Sequence, residues 1–392
     1  MLLVFASSSS VNFASLRVEM TADFHKAPKA WAQVKHSILG NYLSLFLGKL
    51  GLSGRPVYYV DGFAGPGRLE DGSKGSPLIA AELAVSPKQK SRQGILQCIN
   101  VEDVLETFQN LEAATDPYVK LKRVRNFHGT FQQKLPEILS AIGDNTAFFF
   151  IDPFGTEGVE VDTLQRIASR RGKTEILVRY DDTRVKRLLS WAVNNEDSFD
   201  EGHRKTAKAF KSRVEHLTDE KAAGIMGVPE SQALIDGYVR KVKSVAPLRF
   251  SLSYPIRNPE TKGHRYFLVH FCNFPDGYIH MANFMARVDR SVEGVGGDDM
   301  FAKPQMEFMV VNEHIAGQKR KEMVKAVSDR LGSLWVERGW SRIQNRDLFA
   351  GIVDEFGWSV LRSEYVEALR NLQKEGLITL EGTEDNNFTT FH

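Results

Sequence analysis

The chain has 392 residues, 42% of them hydrophobic and 26% charged, which is ordinary for a globular protein and leaves room for a sizeable core and two domains. Its formal net charge of +2 is too small to announce a nucleic-acid partner by itself, so any basic site must be a local patch. No apolar run approaches the roughly 18 residues a membrane span needs, and Cys98 and Cys272 lack CxxC or histidine partners, which points to buried thiols in a reducing compartment.

The first twenty residues, Met1 to Met20, are apolar and Ser-rich but lack a basic start and a small-residue cleavage site. They read as a floppy extension over 1–26, or as a stretch preceding a true start at Met20, and the protein reads as cytoplasmic. Trp31, Val34, Ile38, Tyr42, Leu45 and Phe46 recur at helical spacing and open the fold with an amphipathic helix that Gly51 and Gly54 end.

Strands and helices then alternate. Strand-like runs cover 57–61, 95–101, 122–126, 147–152 and 175–180, with helical patterns at 78–85, 104–114 and 132–142 between them. This alternation predicts a parallel sheet with right-handed crossovers, and the run from Ala147 to Ile151 is apolar on both faces, as a covered sheet requires. A polar helical stretch to about 246 precedes two more strand candidates, 249–254 and 265–271, joined as a hairpin. Five parallel strands plus an antiparallel pair resembles the α/β order of Rossmann-like methyltransferases. A turn at Gly294, Gly296 and Gly297 follows. Beyond residue 313 come helices at 319–331, 346–356 and 364–374, the last with Ser363 as N-cap, and then strands at 376–380 and 387–391, which together resemble a winged helix. The expected domains are therefore 27–312, Rossmann-like, and 313–392, winged helix.

The segment Val60-Asp61-Gly62-Phe63-Ala64-Gly65-Pro66-Gly67 runs from a strand into a glycine-rich turn. Glycine suits such a turn because φ is free to be positive and no Cβ obstructs a ligand. The pattern lacks the third glycine of the phosphate-binding fingerprint and carries an aromatic. It resembles the first motif of nucleic-acid methyltransferases, which implies a donor site formed by Asp61, Phe63, Gly65 and Gly67, with Asp61 facing the methionine end of S-adenosylmethionine. Ser76 reads as the N-cap of the following helix with Pro77 at its first position. Arg68, Asp71 and Lys74 in the intervening loop are either substrate-facing or solvated turn residues. Glu102, at the end of the second strand, is placed to accept both ribose hydroxyls of an adenosine, although an acid there also suits a helix N-terminus.

The fourth strand runs into Asp152-Pro153-Phe154-Gly155. Methyltransferases acting on exocyclic base amines carry Asp/Asn-Pro-Pro-Tyr/Phe here. The resemblance makes Asp152 and the Pro153 carbonyl acceptors for the amine and Phe154 a stacking platform for a flipped base. This chain departs from the pattern in having one proline and the aromatic a position early. Asp-Pro-Phe-Gly also occurs in tRNA guanine-N2 methyltransferases, whereas a purely local turn has the same composition. Basic residues cluster from Arg166 to Arg187, and Arg204, Lys208 and Lys211 share a helical face; these line a phosphate track or form a solvated face, since aspartates interleave. The histidines show no metal spacing.

Lys35 to Tyr42, Val60 to Gly67, Gly75-Ser76-Pro77, Phe149 to Gly155 and the strands around Tyr254 and Tyr266 resemble the three-Cys-motif partner family of phage and bacterial methyltransferases, from about residue 27 onward. The resemblance implies a nearby-encoded three-cysteine partner similar to radical-SAM enzymes and names no substrate. The expected function is S-adenosylmethionine-dependent methylation of a nucleic acid, DNA or RNA, at a base amine. Two alternatives remain: an accessory subunit that binds S-adenosylmethionine or nucleic acid, and a phage-related factor acting by binding alone.

Overall fold

The computed structural model describes residues 30–50, 55–86, 96–153, 158–218, 231–257, 264–294 and 313–392. Gly51, Gly54, Phe154, Gly155, Gly296, Gly297 and the whole N-terminal stretch to residue 29 lie outside the described residues. The chain begins with α1 (Ala30–Leu50) and then alternates: β1 (Val57–Asp61), α2 (Ser76–Val85), β2 (Leu96–Glu102), α3 (Leu105–Lys120), β3 (Val124–His128), α4 (Phe131–Ile142), β4 (Thr146–Ile151), α5 (Val161–Ala168) and β5 (Thr174–Tyr180). Three helices follow, α6 (Asp182–Asn195), α7 (Glu201–Thr218) and α8 (Ser231–Val245), before β6 (Phe250–Arg257) and β7 (His264–Cys272).

Among the described residues these strands form one seven-stranded sheet in the order β3-β2-β1-β4-β5-β7-β6. The ladders among β1 to β5 are all parallel. β7 runs against both β5 and β6, so it is the one reversed strand of this sheet. The chain leaves β1 toward β2 and β3 on one side and returns to β4 and β5 on the other. The sheet therefore has its topological switch point between β1 and β4, where a crevice opens at the carboxyl ends.

The period of two explains how the sheet is buried. Phe148 and Phe150 of β4 pack on one face with Tyr59, Leu177 and the apolar stripe of α1, namely Ile38, Leu39, Tyr42, Leu43, Phe46 and Leu47. Ala147, Phe149 and Ile151 point to the other face, against Leu135 and Ile138 of α4, Leu164 of α5 and Tyr238 of α8. Each fully buried large side chain contributes about 1.5–3 kcal/mol, so the apolar run Ala147–Ile151 of β4 is a strong organiser.

Two helix starts differ from expectation. The N-cap of α2 is Gly75, and Ser76 sits inside the helix, because its hydroxyl is used on Asp61. The N-cap of the last helix is Leu361, not Ser363; Glu364 reaches back to the Leu361 N–H at 2.9 Å and takes the place of a serine cap.

After β7 comes α9 (Pro275–Gly294), a helix whose pattern sequence reading passed over. The remainder is α10 (Glu313–Glu337), β8 (Arg342–Gln344), α11 (Asn345–Phe356), α12 (Arg362–Lys374), β9 (Ile378–Leu380) and β10 (Phe388–Phe391). The three strands form a small antiparallel sheet in the order β8-β10-β9, so β8 was the strand not foreseen. These elements do not stand apart. Leu331, Phe349, Tyr365 and Phe391 belong to the same apolar cluster as Phe148 and Tyr42. Trp358 donates its indole N–H to the Ser253 carbonyl at 3.0 Å and lies edge-on to Tyr254, and Tyr278 donates to Asp354 at 3.1 Å.

A continuous apolar cluster predicts a single cooperative unfolding transition, seen alike by probes on the large sheet and on β8–β10. Trp358→Ala is expected to lower the stability of the whole chain by about 2–4 kcal/mol in urea titrations. Two separate transitions, with the large sheet unaffected, would show that residues from 313 onward fold alone.

Candidate functional site

The glycine turn is pinned from both sides of the switch point. Gly62 N–H donates to the Phe150 carbonyl of β4 at 3.0 Å, and Ala64 N–H donates to the Val101 carbonyl of β2 at 2.9 Å. Gly65 and Gly67 then take φ of 65° and 77°, the left-handed region that favours glycine. A Cβ on Gly67 would also lie 3.1 Å from Ala114 Cβ, so α3 packs tightly on the turn. Phe63 is half-buried, its ring 6.0 Å from that of Phe131 and laid against Gly158, where a Cβ would come within 2.6 Å of it.

Glu102 sits at the tip of β2 beside this turn. Its Oε2 accepts the Gly65 N–H and its Oε1 the Val104 N–H, both at 2.9 Å. Each oxygen keeps a lone pair beyond these bonds. Gly62, Phe63, Val101, Glu102, Thr130 and Phe131 line a shallow cleft of about 220 Å³, counting the space open at its mouth, at the carboxyl ends of β1, β2 and β3. All the described donor-site residues expected from sequence, Asp61, Phe63, Gly65, Gly67 and Glu102, thus meet at the tips of β1 and β2. Asp61 is fully buried and accepts hydrogen bonds from the Tyr59 hydroxyl at 2.9 Å, the Phe63 N–H at 3.3 Å and the Ser76 side chain.

Burial raises both acids. The Asp61 carboxyl is pushed up to about 6, against the pull of its hydrogen bonds from Ser76, Tyr59 and Phe63. Glu102 is pushed up to about 7, again by burial, against its bonds from Val104 and Gly65 and with Asp103 adding to the rise.

Across the switch point, Asp152 follows β4 and is nine-tenths buried. Its Oδ2 pairs with Lys35 of α1, and its Oδ1 faces Arg179 of β5 at 3.5 Å, an ion-pair distance without a hydrogen bond. Arg179 in turn lies 3.3 Å from Asp181 and 4.4 Å from the centre of the Tyr266 ring. Pro153 is buried beside Asp152, whereas Phe154 and its stacking role lie outside the described residues. Lys35 and Tyr266 are site residues to which sequence reading assigned no function, and Arg179, read there as part of a phosphate track or a solvated face, is instead held between Asp152 and Asp181. Lys35 read as part of a helix and Arg179 as part of a basic run; nothing local singled them out, since α1 also carries His36 and Asn41 and β5 also carries Glu175.

Other candidates turn inward on their own chain. Arg68 donates to the Gly72 carbonyl at 2.8 Å, Asp71 accepts from Ser73 N–H at 2.9 Å, and Lys74 pairs with Glu82 at 2.6 Å. From the basic run, Arg170 donates to the Gly143 and Asn145 carbonyls at 2.8 and 2.6 Å. Lys211 pairs with Glu196 at 2.6 Å, while Arg187 is exposed. Cys98 and Cys272 are buried free thiols, both raised by burial.

No family model matches the chain. No curated protein matches it either. Solved structures with a similar arrangement include an O-methyltransferase from Bacillus cereus in complex with SAH, 14% identical over 67% of this chain and 90% of that one, with a TM-score of 0.32. An O-methyltransferase of Streptomyces achromogenes involved in tomaymycin synthesis, in complex with SAM, is 14% identical over 66% of this chain and 96% of its own, with a TM-score of 0.31. A methyltransferase from Geobacter sulfurreducens is 11% identical over 69% and 92%, also at 0.31. Likeness at this level carries no information about substrate. Among the described residues, no helix is long and apolar enough to cross a membrane.

The raised carboxyls make stability depend on pH. A group that binds its proton more tightly folded than unfolded contributes stability below its unfolded pKa and loses it as pH rises through the folded value. For Asp61 the window runs from its ordinary 3.8 to about 6, and for Glu102 from 4.5 to about 7. Asp61→Asn is expected to flatten the fall in stability between about pH 4 and 6. An unchanged slope in urea midpoints across that range would place Asp61 in a better-solvated site.

Proposed function

We propose that the protein is an S-adenosylmethionine-dependent methyltransferase that modifies a nucleic-acid base at an exocyclic amine. The observation that carries this reading is the sheet itself: order β3-β2-β1-β4-β5-β7-β6 with β7 reversed, and with buried carboxylates at the tips of β1, β2 and β4 around one switch point. The residues present fit the donor. Gly65 and Gly67 leave the turn without side chains, and Glu102 lines the cleft with lone pairs suited to ribose hydroxyls. Asp61, once ionised, suits a cationic amino-acid end. When bound, S-adenosylmethionine supplies an electrophilic methyl on a sulfonium.

The acceptor side is read from Asp152. With Oδ2 held by Lys35 and Oδ1 buried without a hydrogen bond, the carboxylate has one oxygen committed and one still able to accept. An amine N–H donated to Oδ1 keeps the nitrogen lone pair available for in-line attack. Lys35, on Oδ2, and Arg179, facing Oδ1, are positioning residues that fix the carboxylate.

The C-terminal order of helix, strand, two helices and two strands supports a winged helix. The outer side of α12 exposes Ser363, Arg370, Gln373 and Lys374, while Glu367 pairs with Arg320 at 2.6 Å. The three-Cys-motif protein is the partner we propose for these C-terminal elements. A second reading, an accessory subunit that binds the donor without turnover, is favoured by the two cations already on Asp152.

Labelled S-adenosylmethionine with total nucleic acid, followed by nucleoside mass spectrometry with and without the partner, separates these readings. Methylated base is the expected product, and donor binding without product would favour the accessory role. Gly65→Val should abolish donor binding in calorimetry and also lower the melting temperature, since a β-branched residue is strained at φ 65°; binding as tight as the parent's in the folded variant would put the donor elsewhere. Asp152→Ala should keep donor affinity within a few-fold yet lose on the order of 10²-fold in turnover, with Asp152→Asn milder. Full activity in a stable Asp152→Ala protein would sink the amine assignment. Donor affinity should also rise from pH 6 to 8 as Glu102 ionises. Glu102→Gln should blunt that rise.

A further inference from the structure

At the amino ends of β4 and β5, the edge opposite the glycine turn, lies a second cavity of about 550 Å³ counting the space open at its mouth. Tyr42, Leu45 and Phe46 of α1 and Phe274 form apolar walls, and Glu175 and Gly277 line it as well. Glu175 is the second residue of β5 and only 6% exposed. Its Oε2 accepts from the Tyr42 hydroxyl and from His270 Nε2, the latter at 2.9 Å. His270 is fully buried and its Nδ1 has no hydrogen-bond partner. Tyr42 and His270 both engage Oε2. Among the described residues Oε1 accepts no hydrogen bond. Oε1 occupies the space a Cβ at position 277 would take, so only glycine there makes room for the carboxylate at the cavity wall.

The surroundings add one further acid, a lysine, His280 and aromatic surface. Asp276 lines the same cavity in the first turn of α9. Lys173, the one Lys or Arg among the residues lining it, is exposed and lies over the Phe274 ring at 5.0 Å. A buried carboxylate oxygen facing an aromatic-walled space is matched by an ammonium group carrying an apolar body.

We propose that this cavity binds a small primary amine with an aryl or alkyl body, its ammonium donating to Glu175 Oε1 and its body resting against Tyr42, Phe46 and Phe274. The site is separate from the donor cleft, and the inference does not rest on the transferase reading.

Benzylamine and its neutral counterpart benzyl alcohol are the probes, titrated into the full-length chain and followed by calorimetry and ligand-observed NMR. Saturable benzylamine binding is expected, with benzyl alcohol about tenfold weaker or more, since the charged contact is absent. Glu175→Gln keeps an oxygen for Tyr42 and His270 and turns an NH2 toward the cavity, so benzylamine should lose about tenfold or more while benzyl alcohol changes little. Leu45→Trp fills the space from the half-buried outer wall without touching the carboxylate and should remove both ligands. The proposal fails if benzylamine does not saturate on the folded parent, if the alcohol binds as well as the amine, or if benzylamine binds unchanged in a Leu45→Trp protein that melts like the parent. Should Glu175→Gln not fold, the amine-to-alcohol ratio and Leu45→Trp decide alone.

Discussion

The buried ion cluster of Lys35, Asp152 and Arg179 is the interaction on which the site's geometry hangs. It joins the first helix to the tips of two central strands, in a place too dry for an unpaired charge. Removing one partner from such a pair typically costs about 3–5 kcal/mol, because the remaining charge is left buried. The same helix is held again two turns further on, where Tyr42 reaches Glu175 at the other end of β5. Lys35 beside Arg179 and Tyr42 beside Glu175 mean that α1 runs antiparallel to the strand it covers. Polar contacts at both ends fix its height on the sheet, which a stripe of leucines and phenylalanines alone leaves free to slide.

The carboxylates at the strand tips share a location and differ in environment. Asp61 and Glu102 are surrounded by neutral donors, and burial holds their protons well into the acidic-to-neutral range. Asp152 instead has two cations within ion-pair distance. One side of the switch point is thus ready to gain charge when a cationic ligand arrives, and the other carries its charge already compensated. A division of this kind suits a donor and an acceptor bound side by side.

Among the described residues, the C-terminal elements meet the helix that follows the large sheet through polar contacts. Arg290 pairs with the fully buried Glu364 at 3.1 Å, and Asn283 accepts the Arg362 N–H at 3.0 Å, so α9 is the element that couples α12 to the sheet. Because α9 also packs beside Glu175 through Gly277, the amine-sized cavity lies at the junction of the strand bearing Arg179 and the helix bearing the C-terminal contacts.

Much of this was legible in the residues. Alternation of short apolar runs with helical stripes defined the parallel order, and the doubly apolar run Ala147–Ile151 defined its centre, because local periodicity reports which faces are buried. The glycine turn and the acids at Asp61, Glu102 and Asp152 were legible for a related reason: strand tips and positive-φ turns are local features. Helix α9 was missed although Pro275 at its first position and Asp276 in its first turn are ordinary helix-start signals. Ser76 and Ser363 were assigned as caps on local grounds, and tertiary partners overrode them. What only the folded chain decided is the pairing of Lys35 with Asp152 across 117 positions and of Tyr42 with Glu175 across 133. Contacts at such separation leave no trace in periodicity, since they depend on how the sheet orders its strands and on which helix lies across them.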